Sequence, residues 1–250
     1  MGDERRVALV TGAAQGLGLG IASAFARAGY DVAIVDVRAG GLADAERTLR
    51  AHGRRVLTAT GDVTRRDEMR SFVGRVVDEL GRLDVLVNNA QVTRLGAVLD
   101  VTDDDLDAVW RSGFAGTLVC MQAAFAALAA TGGCVVNLGS GAGLTANAGY
   151  AVYGATKEAI RTLTRVAALE WGPHGVRVNA LSPAARTAAF DRWAAEHPDE
   201  AAGRIATIPL RRMGDPERDI GEVAVFLASE AASYITGATI VVDGGAHYLG

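Results

Sequence analysis

The chain has 250 residues, half of them hydrophobic, with 25 basic against 29 acidic side chains and a net charge of −4. That is enough apolar material for the core of one α/β domain, and the acidic balance without any basic run argues against nucleic acid as a partner. There is no run of about 18 apolar residues and no apolar signal core in MGDERRVALV, so the expectation is a cytoplasmic protein with no membrane partner. Cys120 and Cys134 stand apart without CxxC spacing, and His52, His174, His197 and His247 are scattered singly, so no metal site is expected.

Taken in order, the chain opens with Arg6–Val10, a short β-rich run that enters Thr11-Gly12-Ala13-Ala14-Gln15-Gly16-Leu17-Gly18 and then the helical stretch Ile21–Ala26. Strand, glycine turn and helix in this order let the backbone approach a pyrophosphate at a helix N-terminus. The spacing is GxxxGxG, not GxGxxG, and its position between strand and helix gives it weight. A second strand, Asp31–Val35, ends in Asp36, eighteen residues past Gly18. An acid there can accept hydrogen bonds from adenosine ribose hydroxyls, and its charge repels a 2′-phosphate, which favours NAD over NADP. Arg38, two residues on, is the counter-signal, since an arginine could pair with that phosphate.

Leu42–Arg50 reads as a solvated helix and Val56–Thr60 as a third strand, followed by the turn Gly61-Asp62-Val63. Arg66–Leu80 places Met69, Phe72, Val73, Val76 and Leu80 on one helical face. The fourth strand, Asp84–Val87, runs into Asn88-Asn89-Ala90. One long helix is expected from Asp103 to about Leu128, then a fifth strand, Val135–Leu138.

After that strand comes GSGAGLTANAGYAVYGATKE, in which Ser140 precedes Tyr153 by thirteen residues and Lys157 follows it by four. If Tyr153 opens a helix, Lys157 lies one turn on along the same face, where an ammonium beside the phenol favours phenolate. A tyrosine of ordinary pKa, about 10, is a poor proton carrier at neutral pH without such a cation. Ser140, at the C-terminal end of a buried strand, could hold a reacting oxygen. A Tyr-x-x-x-Lys pair by itself is weak evidence. Tyr153–Glu170 continues as a packed helix, and Val176–Leu181 is a sixth strand stopped by Pro183. The alanine-rich segment 184–209, with Phe190 and Trp193, reads as a substrate-binding flap; Ile220–Ala228 is helical, and Thr239–Val242 is the last strand. The alternation predicts a single α/β domain: a doubly wound, Rossmann-like parallel sheet of about seven strands, with ligands at the strands' C-terminal ends.

Thr11-Gly12-x-x-x-Gly16-x-Gly18, Asn88-Asn89-Ala90, Ser140, Tyr153-x-x-x-Lys157, Tyr234-Ile235-Thr236-Gly237 and Asp243-Gly244-Gly245 together resemble the short-chain dehydrogenase/reductase family from about Val7 to Gly245. The resemblance implies that Gly12, Gln15, Gly16 and Leu17 contact the cofactor phosphates, Asp36 the adenosine ribose, and Asp62 and Val63 the adenine. It further implies that Asn89 and Ala90 flank the nicotinamide, that Tyr153, Lys157 and Pro183 also touch the cofactor, and that Tyr153 carries the proton while Ser140 holds the substrate oxygen and Lys157 lowers the tyrosine pKa. Substrate is implied near Gln91, Asn147, Tyr150 and Arg186, with Arg94 and Leu144 close by. A homotetramer is implied through Asp103–Leu128, Tyr153–Glu170 and Asp243–Gly250.

Three positions depart from the family pattern. Gly113 stands where an asparagine usually anchors a proton-relay water, which leaves Ser112, a relocated water or nothing for that task; Gln91 replaces the usual glycine after Asn-Asn-Ala; and Ala184 with Arg186-Thr187 alters the segment after Pro183. The preferred expectation is an NAD-dependent oxidoreductase acting on a secondary alcohol or ketone, cyclic or acyl-thioester. The rivals are an NADPH-dependent 3-oxoacyl-thioester reductase, against which Asp36 speaks, and an NAD-binding sensor or interaction protein that lost turnover.

Overall fold

The computed structural model describes residues 5–247. Its strands are β1 (Val7–Thr11), β2 (Asp31–Asp36), β3 (Val56–Thr60), β4 (Val85–Asn88), β5 (Cys134–Leu138), β6 (Arg177–Pro183) and β7 (Thr239–Val242). Among the described residues they form one seven-stranded sheet in the order β3-β2-β1-β4-β5-β6-β7, parallel throughout. Strands β1, β2, β4 and β5 are short, largely apolar runs buried throughout, as a parallel sheet covered by helices requires, while the edge strands β3 and β7 are partly exposed. In β1, Val7 and Leu9 point into one core while Ala8 and Val10 point into the other, following the two-residue period of a strand.

Helices α1 (Gly16–Arg27), α2 (Ala39–Arg50), α3 (Arg66–Leu80), α4 (Asp103–Trp110), α5 (Gly116–Thr131), α6 (Gly141–Leu144), α7 (Ala151–Trp171), α8 (Ala188–Glu196), α9 (Pro198–Thr207) and α10 (Glu222–Ala228) complete the frame. Ile21 and Phe25 of α1, Leu49 of α2 and Leu227 of α10 fill the core on one face; Phe72 and Val76 of α3, Met121 and Leu128 of α5 and Ala167 of α7 fill the other. The run Asp103–Thr131 is long and apolar enough to cross a membrane by composition alone. Its apolar residues Val119, Met121, Ala124 and Leu128 are buried on the sheet, which accounts for that composition.

Two expectations change. The single helix expected over Asp103–Leu128 is α4 and α5 joined by a π-helical turn, Arg111–Ala115, in which one extra residue interrupts the i→i−4 ladder. Segment 184–209 is mostly helical: Thr187 caps α8 by accepting from the Phe190 amide at 3.3 Å, and Pro198 opens α9. The strand order reverses between β1 and β4, so the crevice between their C-terminal ends is where such a sheet takes its ligand.

Candidate active site

The crevice begins at the glycine turn. Gly12 adopts φ +65°, and a Cβ on it would lie 2.7 Å from the Ala90 Cα. Gly18, in the first turn of α1, has no room for a side chain either, because one would strike the Gly12 carbonyl and the Asn89 amide. Gly16, at φ +60°, has no neighbour within 4 Å of a virtual Cβ, so the turn leaves its outer side open. Asn89 pins this turn to the end of β4 by donating Nδ2 to the Thr11 and Gly12 carbonyls, both at 2.9 Å. The Thr11 hydroxyl accepts from the Asn89 and Ala90 amides at 3.0 Å. No side chain caps the N-terminus of α1 and no acid lies in its first turn, so its free amides and positive dipole end face the crevice.

Asp36 closes the far end of this crevice and is 4% exposed. Its Oδ2 accepts from the Ala14 amide at 3.1 Å and its Oδ1 from the Arg38 amide at 3.0 Å, while the Arg38 guanidinium pairs with it at 3.2 Å. Burial pushes the carboxyl upward, but the hydrogen bonds from Arg38 and Ala14 outweigh it and hold the group below the ordinary carboxylate value. Arg38, the counter-signal in the sequence, is thus engaged by Asp36 itself. Asp62 accepts from the Thr64 amide at 2.8 Å and, with Val63, lines the same wall. The crevice measures about 750 Å³ and runs from Asp36 past Gly12, Gln15 and Gly16 to Asn89 and Gln91. A glycine cradle without room for Cβ atoms, an uncapped helix N-terminus and a buried carboxylate at the far wall fit a dinucleotide, its phosphates at the turn and its ribose at the acid.

Ser140 follows β5 and caps α6, its Oγ accepting from the Ala142 amide at 3.2 Å. Tyr153 lies in the first turn of α7, and Lys157 one turn on carries its Nζ 5.5 Å from the centre of the tyrosine ring. The three residues expected to act together are therefore brought together. The electrostatics differ from expectation. Lys157 Nζ donates to the Leu138 carbonyl at 2.8 Å, and its complete burial pulls the ammonium down to about 7. Burial likewise pushes the Tyr153 phenol above its ordinary value; a hydrogen bond with Ser140 works the other way but does not overcome it. Desolvation, acting on both groups, outweighs the lowering of the Tyr153 pKa expected from Lys157.

The remaining expected residues fall in several places. Pro183 is the last residue of β6; Thr187, one of the departures in the sequence, lines the crevice beyond it together with Ala188, which sequence reading did not single out. Tyr150 precedes α7 with its ring 6.1 Å from that of Tyr153. Asn147 is exposed. Arg186 is exposed and paired with Asp191 at 2.6 Å, and Arg94 is exposed as well. Phe190 and Trp193 lie together along α8, their ring centres 5.8 Å apart and their planes tilted by 48°. His247, read as an isolated histidine, packs its ring on Gly141 beside Ser140 and is bonded to Asp243 at 2.8 Å. Its only sequence signal was the Asp243–His247 spacing of four.

A doubly wound parallel sheet with this crevice defines the nucleotide-binding α/β class of proteins. A family model described as Enoyl-(Acyl carrier protein) reductase matches residues 12–247. A 12alpha-hydroxysteroid dehydrogenase of Clostridium sp. is 39% identical across 96% of this chain and 96% of its own. A cis-4-hydroxycyclohexanecarboxylate dehydrogenase of Sinomonas cyclohexanicum is 38% identical, again across 96% of each chain. The crystal structure of an NAD+-bound xylitol dehydrogenase superposes with a TM-score of 0.91 at 30% identity, covering 98% of this chain and 100% of that one. The chain belongs to the short-chain dehydrogenase/reductase family and is an oxidoreductase acting on CH–OH donors.

Proposed function

We propose that the protein interconverts a cyclic secondary alcohol and its ketone with NAD(H) as cofactor. The carrying observation is the grouping of Ser140, Tyr153 and the buried Lys157 beyond the C-terminal end of β5. The glycine turn and the start of α1 hold the cofactor phosphates, and Asp36 takes the adenosine ribose hydroxyls while its buried charge opposes a 2′-phosphate. The chemistry a bound nicotinamide supplies is the donation or acceptance of a hydride. Tyr153 gives its phenolic proton to the substrate oxygen during reduction and takes it back during oxidation. Ser140 holds that oxygen by a hydrogen bond as charge develops on it. The Lys157 ammonium supports the phenolate left on Tyr153. A cyclic substrate is favoured because two similar proteins are named for hydroxyl groups on rings. Segment 184–209, with Phe190 and Trp193, covers the substrate.

A homotetramer accompanies this reading: Leu99 is 97% exposed and Leu169 on α7 80%, with Leu106 and Trp110 of α4 also uncovered, and such faces suit further copies of the chain. Of the C-terminal segment assigned to that interface, residues 248–250 lie outside the described residues. The test is NADH and NADPH binding by fluorescence, followed by turnover of a panel of cyclic ketones by the wild type and Tyr153→Phe. Tighter NADH binding is expected, with turnover that falls about 10³-fold in Tyr153→Phe while NADH binding stays. Full turnover by Tyr153→Phe, or a preference for NADPH, would refute the proposal.

A further inference from the structure

His247 stands beside Ser140 yet has no part in the chemistry assigned to Ser140, Tyr153 and Lys157. A Cβ on Gly141, the residue after the serine, would strike the His247 Cε1 and lie 2.5 Å from its Nδ1 and 2.8 Å from its Nε2. The imidazole therefore fills the space that a side chain at 141 would take, and it rests on the peptide that carries Ser140.

The ring is held in that place. The Asp243 side chain is buried; its Oδ1 accepts from the Gly245 amide at 2.9 Å and the Ala246 amide at 3.1 Å, and its Oδ2 from the His247 amide at 2.8 Å. Both oxygens are thus acceptors, and the His247 Nδ1 donates to Oδ2 at 2.8 Å. One carboxylate fixes the backbone and the ring of the same histidine. The turn is closed on another side by the end of segment 184–209: a Cβ on Gly244 would lie 2.8 Å from the Ile208 Cγ2 and one on Gly245 2.9 Å from the Pro209 Cγ, while the Leu210 amide donates to the Gly244 carbonyl at 3.2 Å.

Ser140 needs such support. Its hydroxyl accepts from the Ala142 amide at 3.2 Å and is hydrogen-bonded with Tyr153, so its direction follows the backbone of α6. That helix has four residues, too few to be stable alone, so packing must place it. One support is α7: a Cβ on Gly154 would lie 2.9 Å from the Ala142 carbonyl, and one on Gly143 3.2 Å from the Gly154 carbonyl. Gly141 and Gly143 are two residues apart, which turns their side-chain directions about 200° from each other on a helix. His247 on Gly141 and α7 on Gly143 therefore hold the segment from opposite sides.

We propose that His247 is a positioning residue for Ser140: its ring, fixed by Asp243, presses the Ser140–Gly141 peptide toward α7 and sets the serine hydroxyl where the substrate oxygen is held. This inference rests on the function proposed above.

The test compares wild type with His247→Ala, Ser140→Ala, Gly141→Ala, each double variant that contains His247→Ala, and Tyr153→Phe, using NADH and the cyclic ketone that the wild type reduces fastest. His247→Ala should lower kcat about 10-fold, since a displacement of about 1 Å can cost up to about 10²-fold, with substrate KM and NADH binding within about twofold of wild type. In the Ser140→Ala background the same substitution should change kcat by less than about twofold, because a residue that acts through the serine has nothing left to place. Gly141→Ala reads the contact from its other side: it should lower kcat alone, and the double variant with His247→Ala should recover part of the loss as the methyl enters the space the ring has left. An equal fall in kcat with and without Ser140 would overturn the inference while leaving the proposed function intact. So would a lowered melting temperature at unchanged kcat, a loss confined to substrate KM, or a loss that follows weakened NADH binding. Full turnover by Tyr153→Phe would instead remove the reading on which the inference rests.

Discussion

Lys157 gives the most direct physical test of the site, because its buried charge destabilises the ligand-free fold in a way that depends on pH. The residue is 4% exposed, and burial pulls its ammonium from 10.5 to about 7. Below pH 7 both the folded and unfolded chains carry the proton, and the fold bears the whole cost of burying it. As pH rises through 7 the folded state releases the proton while the unfolded chain keeps it, so stability increases at about 1.4 kcal/mol per pH unit until the unfolded lysine also titrates. Cys120 and Cys134, pushed by burial from 9.0 to about 12, act in the opposite direction: above pH 9 the unfolded thiols ionise, the folded ones do not, and stability declines. The lysine effect is therefore isolated between about pH 7 and 8.5, where it amounts to about 2 kcal/mol. Lys157→Met removes it. Losing the bond to Leu138 shifts the variant's stability by an amount independent of pH, so the difference between the two proteins, not either curve alone, carries the prediction. Urea denaturation of ligand-free protein at fixed concentration across this window should show a midpoint that rises with pH for the wild type more steeply than for Lys157→Met, with equal m-values. Parallel curves would refute the assignment of a buried, strained ammonium.

Asp36→Ala should weaken NADH binding and strengthen NADPH binding, a change in preference of about 100-fold, because it removes the buried charge and frees Arg38 for a phosphate; parallel titrations of both cofactors check it. Gly18→Ala should cost about 1–3 kcal/mol by thermal unfolding and abolish cofactor binding, since the added methyl strikes the Gly12 carbonyl and the Asn89 amide and forces the turn open. Leu169→Glu should leave the folded subunit unharmed, as the side chain is already exposed, and reduce the mass seen by light scattering; a mass unchanged from wild type and equal to one subunit would refute the tetramer.

The sheet was legible because its strands are short, mostly apolar runs of four to seven residues followed closely by turn or crevice residues, the form that buried parallel strands take. Expected and observed strand ends differ by a residue or two, as hydrogen-bonded boundaries commonly do. The glycine turn and the Tyr153–Lys157 spacing were legible because they depend on local backbone geometry. The break in the helix after Trp110 was not, since a π turn has no compositional mark and Gly113 within it packs against side chains from other elements, Gln91 and Thr156. Segment 184–209 was read as a flap; its helices carried signals, Thr187 as a cap, Pro198 as a first helical residue and the Phe190–Trp193 spacing of three. The inverted electrostatics of Tyr153 and Lys157 could not be read at all: spacing places an ammonium beside a phenol, but burial decides what either group's proton affinity becomes.

Burial also explains how the two ends of the site divide their work. Asp36 is buried, and its carboxylate is met by two backbone amides and a guanidinium, so its charge is fixed before any ligand arrives. Lys157 is as deeply buried but has one partner and two further protons to place. Gln91 has no protein partner for either amide atom. Hydrogen-bonding capacity left open by the protein therefore increases from the adenosine end of the crevice toward the reacting end. A group satisfied within the fold can select a ligand by charge and shape, as Asp36 is placed to do. A group left unsatisfied gains most from a ligand, a water or a proton that completes it, and Lys157, with two protons unplaced one turn from Tyr153, is such a group.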